Sequence, residues 1–236
     1  GANIVVISDR AVAGEVAIPS LLALGCVHNH LIRCGLRTLA DLVVETGDAI
    51  CAHDFACLVS FSASAICPYL AHDCVRDLCV RGELALEPEE ACARYDRAVT
   101  AGIVSIMSKM GISTMQGYHS AQIFEIVGLA DELVERCFTY TATRVGGLGV
   151  DDLQRLLDER HAAALALQRT PAPSQLPTLG LATWRPAGEE HLIDPKAIYL
   201  LQRACREDDY ALFKEYAAWV HRPGRAVTLR DLMGFS

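Results

Sequence analysis

No apolar run in this sequence reaches the ~18–20 residues that a membrane-spanning helix needs. No cluster of Lys and Arg is dense enough for a nucleic-acid patch, and the acidic residues behind the net charge of −8 are dispersed. The opening residues carry no basic start, apolar stretch and cleavage site, so they do not read as a secretory leader. The HExxH zinc signature is absent. No serine stands in the Gly-x-Ser-x-Gly elbow of a hydrolase. Internal repeats and low-complexity tracts are missing too. The expectation is a cytoplasmic protein with neither a nucleic-acid nor a membrane partner.

What is present is a chain of 236 residues, 52% of them hydrophobic. That length suits one large domain or one and a half ordinary ones, with a core of real size. The apolar content points to such a core together with a surface that packs on neighbouring domains. Gly1 to Ser8 reads as a strand already under way, which predicts a chain cut from something longer. Ten cysteines sit among apolar neighbours. In an intracellular α/β context they read as buried small hydrophobes, not as a disulfide framework.

The periodicity alternates strand and helix. Residues 3–8 form an apolar, β-branched run, the mark of a parallel strand buried on both faces. Pro19 starts a helix that reaches about Arg33, with Gly35 as its cap. Leu42–Glu45 is a second strand, 51–59 a helix, Ala63–Cys67 a short third strand, and Pro68 opens another helix. From Pro88, apolar residues at Ala91, Tyr95, Ala98, Val99, Gly102, Ile103, Ile106 and Met107 define one face of a helix that Gly111 ends. Two shorter helices are expected over 119–127 and 130–136, then an extended stretch over Phe138–Thr143. Gly146, Gly147 and Gly149 break the chain before a helix carrying Leu153, Leu156, Leu157, Ala164 and Leu167. Thr170 to Pro177 reads as a linker. Asp194-Pro195 then starts a helix, and Phe213, Tyr216, Ala217 and Val220 continue a helical face toward Pro223. Thr228 to Met233 runs off with no closing element. The fold class is α/β: an incomplete barrel-like parallel sheet with surrounding helices, residues 1–169, then a mostly helical segment, 170–236.

Five groups tempt a chemical reading. His28 and His30 are two apart, so a helix points them to different faces; hydrogen-bonded structural histidines fit better than metal ligands. Cys67, Cys74 and Cys79 resemble an iron–sulfur run, but Cys67 and Cys74 fall on different helical faces. The glycines at 146, 147 and 149 precede a helix start, where phosphate can bind, yet Asp151 and Asp152 put negative charge there; a structural turn is the better reading. Ser60, Ser62 and Ser64 surround Phe61 without a hydrolase elbow. Ser8, Asp9 and Arg10 end the first strand, where α/β proteins bind ligands, although an Asp9–Arg10 ion pair serves structure equally well.

The longest blocks carry more than any of these. GANIVVISDR, IPSLLALGCVHNHLIRCGLRT, LVVETGD, AHDFA and ICPYLA follow in order through Leu78. MSKMGIST, AQIFE, FTYTATRVGGLGVDDL, HLIDPKAIYLLQRACREDDYALFKEY and TLRDL continue to Leu232. Together they resemble the central domain of the glutamate synthase large subunit, its C-terminal part, up to the start of the FMN-binding domain. The likeness covers nearly the whole chain.

The resemblance implies a flavoenzyme of nitrogen assimilation that makes two glutamates from glutamine, 2-oxoglutarate and a reduced donor. An amidotransferase domain releases ammonia, which crosses an internal tunnel to an FMN barrel served by a 3Fe-4S cluster. This segment would link the two sites and help wall the tunnel. Its implied partners are the amidotransferase and FMN-binding domains of the same polypeptide, with a small electron-donating subunit or ferredoxin beyond them. FMN and the cluster belong to the adjacent domain. The resemblance therefore assigns no catalytic, cofactor-binding or metal-ligating residue to this chain.

The pattern breaks in three places. Where the family has HHH, His28 stands between Val27 and Asn29. Its GYGA is Ser60-Phe61-Ser62-Ala63 here. Its SYRGAQ is Gly117 to Gln122, with His119 replacing the arginine. A diverged, inactive paralogue or a free-standing α/β module using the Gly146–Gly149 loop are the alternative readings. A pure interaction domain is a third.

Overall fold

The computed structural model describes residues 3–10, 15–181 apart from 169–179, and 183–234 apart from 187 and 223–226. The chain divides into two compact units, residues 1–169 and 170–236.

In the first unit, β1 (Ile4–Ser8), α1 (Ser20–Arg33), β2 (Asp41–Glu45), α2 (Ala52–Ser60), β3 (Ala65–Cys67) and α3 (Tyr69–Val80) alternate as the periodicity predicts. The strands form a parallel sheet in the order β1-β2-β3, with Val6 opposite Val43 and Val43 opposite Ala65. Parallel neighbours cannot be joined by a tight turn, so each connection contains a helix.

One face of this sheet, Leu42 and Val44 with Val5, Ile7 and Ile66, packs on Leu24 of α1 and Phe55 and Leu58 of α2. The other face is open, and Ile4 and Val6 are about 60% exposed. β1 is therefore not buried on both faces as expected. The helices packed on it share a single core on one side, leaving alternate residues uncovered. The sheet does not close into a barrel.

α1 ends as its sequence predicts. Gly35 adopts φ +68°, the Leu36 N–H donates to the Leu31 carbonyl, and the Gly35 N–H to that of Ile32. This paired closure needs a left-handed residue, which glycine supplies without a Cβ clash.

α4 (Pro88–Met110) starts at its proline and ends at Gly111. Ala91, Val99 and Met107 are buried along the predicted stripe, although Ala98 is exposed. Gly102 lets α4 approach Ala52 of α2 more closely than a side chain would allow.

The next stretch departs from expectation. After α5 (Met115–Tyr118), residues 119–127 are not a helix. Ser120 and Gln122 take φ of +55° and +53°, which no right-handed helix accommodates. β4 (Glu125–Leu129) follows, then α6 (Asp131–Cys137), then β5 (Ala142–Leu148), which pairs with β4 in a separate two-stranded parallel sheet.

Gly146 and Gly147 thus lie inside a strand, not in a chain-breaking turn, and the extended stretch starts later than Phe138. A Cβ on Gly147 would lie 2.5 Å from the Gly128 carbonyl oxygen, so glycine here permits close strand pairing. α7 (Val150–Gln168) buries only a narrow stripe: Leu153, Leu157 and His161 are half-buried, while Leu156 and Leu167 are exposed.

The cysteines also depart from expectation. All ten are free; Cys92 and Cys137 are buried, whereas Cys34, Cys51, Cys67, Cys74 and Cys205 are exposed.

The second unit pairs α8 (Pro195–Glu207) with α9 (Tyr210–Val220). Asp194 caps α8, its carboxylate accepting the Ala197 N–H at 2.8 Å. Ala197, Leu200 and Ala204 are buried, while Phe213 of the predicted α9 face is 43% exposed. The predicted linker, Thr170 to Pro177, lies outside the described residues, as does Pro223. Thr228 to Met233 does hold a closing turn, a 3-10 turn over Leu229–Leu232 whose Asp231 accepts the Val227 and Thr228 N–H groups.

Candidate functional site

Two clefts of the first unit carry the polar groups that sequence reasoning singled out. The first lies at the C-terminal end of β1. Asp9 follows the last strand residue and turns its carboxylate into the sheet end. It accepts from Thr46 Oγ1 at 2.8 Å, the Gly47 N–H at 2.8 Å and Ser20 Oγ at 3.0 Å. Burial pushes the Asp9 pKa up, but these hydrogen bonds and one from Tyr69 outweigh it and hold the carboxyl below its usual value.

Arg10 does not pair with Asp9. It binds Glu45 at 2.9 Å and lies 4.2 Å from the Tyr69 ring centre. The strand end is thus a satisfied network in which Asp9 ties β1 to the residues following β2. Beside it, a cleft of about 270 Å³ includes Tyr69, Arg160 and His161.

The second cleft, about 410 Å³, opens between α1, the turn after α2, and the segments that flank α6. His28 is part of its wall. Arg37, in a 3-10 turn after α1, donates from Nε to His28 Nδ1 at 2.9 Å, and to the Ala40 and Ser62 carbonyls. Burial, then the charges of Arg37 and His119, depress the His28 pKa from 6.5 to about 4. The ring is therefore neutral near pH 7.

An Arg N–H can only donate, so Nδ1 must accept and the ring proton sits on Nε2. Nε2 faces Ser120 Oγ at 3.2 Å, and Ser120 Oγ lies 2.8 Å from Ser62 Oγ.

Both serines occupy left-handed backbone, φ +74° at Ser62 and +55° at Ser120. Ser62 closes α2 as Gly35 closes α1: its N–H donates to the Val59 carbonyl and that of Ala63 to Leu58. The Ser120 N–H donates to the Ser60 carbonyl at 2.7 Å. Asn29 reaches across from α1 to the Gly25 and Cys137 carbonyls. The three places where the resemblance breaks, around His28, Ser62 and Ser120, therefore meet at one cleft. Their separation in sequence hid this; the signal was that three glycine positions of the pattern, at Ser60, Ser62 and Ser120, are serine here.

The other candidates do not assemble. His30 is exposed and faces Cys34, not His28. Cys67 ends β3 while Cys74 and Cys79 lie on α3, and among the described residues no three His, Cys, Asp or Glu could jointly hold a metal. The Gly149 N–H at the start of α7 is taken by Asp152 Oδ2 at 3.1 Å, so that helix end is self-capped. Ser64 binds Asp41, away from Ser62. No described helix is long and apolar enough to cross a membrane.

Comparison with known proteins gives a family. The family model for the glutamate synthase central domain matches residues 1–130. The chain is 40% identical to the glutamate synthase [NADPH] large chain of Bacillus subtilis (strain 168), over 100% of its own length and 15% of that protein's. It is 40% identical to the ferredoxin-dependent glutamate synthase of Pyropia yezoensis, covering 99% of this chain and 16% of the relative. Against the glutamate synthase [NADH] of Schizosaccharomyces pombe (strain 972 / ATCC 24843) identity is 35%, over 100% and 11% respectively. The chain thus spans about a sixth or less of the relatives it matches. By its matched domain and its end-to-end similarity, this chain belongs to the glutamate synthase family.

Proposed function

We propose that the chain is an interior segment of a cytoplasmic glutamate synthase, an oxidoreductase that forms two glutamates from glutamine, 2-oxoglutarate and a reduced donor. In this reading residues 1–169 are the C-terminal part of the central domain, and 170–236 lead into the FMN-binding domain. The segment links the glutaminase and flavin sites and walls part of the ammonia passage. The observation that carries this is the end-to-end similarity to relatives named for NADPH, NADH and ferredoxin alike. A region common to three donor types serves what they share, not the donor site. In this reading FMN and the 3Fe-4S cluster belong to the adjoining domain.

The free-standing module loses its geometric basis with the Gly146–Gly149 loop, which is strand followed by a self-capped helix. The test uses the full-length protein that carries this chain: glutamine-dependent oxidation of a reduced donor in the presence of 2-oxoglutarate, with flavin read from the visible spectrum. Turnover with bound flavin is expected. Flavin-free, inactive protein would instead favour a diverged paralogue.

A further inference from the structure

Asn29 and Arg33, one turn apart on α1, both reach the end of α6 in the wall of the larger cleft. Asn29 Nδ2 gives both its protons to carbonyl oxygens, those of Gly25 and Cys137. Carbonyls only accept, so the amide cannot be turned round, and Oδ1 keeps its lone pairs with no donor among the described residues. Arg33 shares two N–H groups with the Arg136 carbonyl, at 3.3 and 3.4 Å. A guanidinium has five, so the rest stay available. Glu135, in the last turn of α6, lines the same cleft, and its carboxylate pairs with no described residue, Arg33 included.

Two hydroxyls deep in the wall are also unmatched. Ser60 is 2% exposed and Thr141 7%, and neither hydroxyl bonds to a described residue. A hydroxyl at that depth is costly to leave unmet, so a polar ligand in the cleft would be stabilised by both. Ser120, Gln122 and Tyr140, three of the five described non-glycine residues with positive φ, line the cleft as well. Such backbone persists where surrounding structure enforces it, typically at ligand clamps. Ile32, Phe61 and Phe138 supply an apolar wall. The cleft's volume of about 410 Å³ lies within the ~300–1,000 Å³ of small-molecule sites.

We propose that this cleft binds a zwitterionic α-amino acid with an apolar side chain. The ammonium gives its protons to the Glu135 carboxylate and Asn29 Oδ1. The carboxylate takes the remaining N–H groups of Arg33, and the Ser60 and Thr141 hydroxyls complete the polar contacts. The side chain lies on Phe61, Phe138 and Ile32. One available charge of each sign in one small cleft matches a zwitterion better than either ion alone. A lone cation would meet Arg33, and a lone anion Glu135, as an unneutralised like charge. Ser60 stands where the family pattern has glycine, so part of this site is peculiar to this chain.

The test is calorimetric titration of the full-length protein with l-leucine and with its two half-charged analogues, 4-methylpentanoate and 3-methylbutylamine. Binding is read without turnover, so the result does not depend on whether the whole protein is a working glutamate synthase. l-Leucine is expected to bind about tenfold or more tightly than either analogue, the value of one charge-assisted hydrogen bond. Glu135→Gln is expected to bring l-leucine down to the level of 4-methylpentanoate and to leave 4-methylpentanoate unchanged. Arg33→Gln is expected to bring it down to the level of 3-methylbutylamine. Failure of l-leucine to bind at millimolar concentration overturns the proposal, as does an analogue that binds equally well. Unchanged l-leucine affinity in Glu135→Gln would place the binding at another site and overturn it too. So would an equal loss of l-leucine and 4-methylpentanoate in that variant, which would mean that Glu135 shapes the fold and does not read the ammonium.

Discussion

Arg37 and His28 share a 2.9 Å hydrogen bond in which the guanidinium Nε donates to the imidazole Nδ1. A permanent cation thereby faces the one ring nitrogen that a second proton would need. Burial first, and then this charge, lower the His28 pKa from 6.5 to about 4. A histidine with a depressed folded pKa binds more protons when unfolded, so acid favours unfolding. Its contribution is complete above pH ~6.5 and is lost as pH falls toward 4. His119, lowered by burial and by Arg37, acts with the same sign. Thermal denaturation between pH 7 and 4 is expected to show falling stability, with a shallower slope in His28→Gln. Equal slopes in the two proteins would remove His28 from the account.

Gly25 of α1 sits against the end of α6. A Cβ there would lie 2.7 Å from Phe138 Cε1 and closer still to the Cys137 carbonyl oxygen. Backbone cannot yield as a flexible side chain can, so α1 and α6 must part. Gly25→Ala is expected to destabilise the protein by ~1–3 kcal/mol despite alanine's better helix propensity. Because Asn29 spans the same contact, this variant also disturbs the Ser120 cleft. Chemical denaturation gives the number, and a stabilised variant would contradict the packing described.

Tyr118 is fully buried against Ala56, Val59 and Met107, and its hydroxyl has no hydrogen-bond partner among the described residues. Burying an unpaired hydroxyl costs free energy that phenylalanine does not incur. Tyr118→Phe is therefore expected to be neutral or to stabilise by about 1 kcal/mol. A clear loss of stability on denaturant titration would mean that the hydroxyl is engaged after all.

The sequence states local rules well and long-range ones poorly. Pro88, Gly35, Gly111 and the Asp194-Pro195 pair marked helix boundaries because each acts through its own backbone geometry. The 119–127 helix failed because Ser120 and Gln122 are held in left-handed backbone, the Ser120 N–H reaching the distant Ser60 carbonyl. Gly147 read as a breaker because nothing local reveals Gly128 beside it. The exposed cysteines misled for a similar reason: an apolar neighbour in sequence is not one in space. The serine cleft was visible only as three scattered departures from a pattern, which topology alone brings together.

Asp194 performs two tasks in the second unit. Its carboxylate caps α8 through the Ala197 N–H and also accepts the Trp219 indole N–H of α9, at 3.0 Å to Oδ1 and 2.9 Å to Oδ2. Lys196 and Arg222 also lie over the Trp219 ring, at 3.8 Å and 4.1 Å from its centre. Asp194→Ala removes a cap worth about 0.5–2 kcal/mol and leaves a half-buried indole donor unpaired, at about 1–3 kcal/mol more. Asp194→Asn keeps an acceptor oxygen, but one that cannot serve both donors as fully, and is expected to lose less. Amide hydrogen exchange along α8 and α9 separates the tasks. Loss of protection confined to the first turn of α8 would indicate a cap alone, whereas loss in both helices is expected if Asp194 holds the pair together.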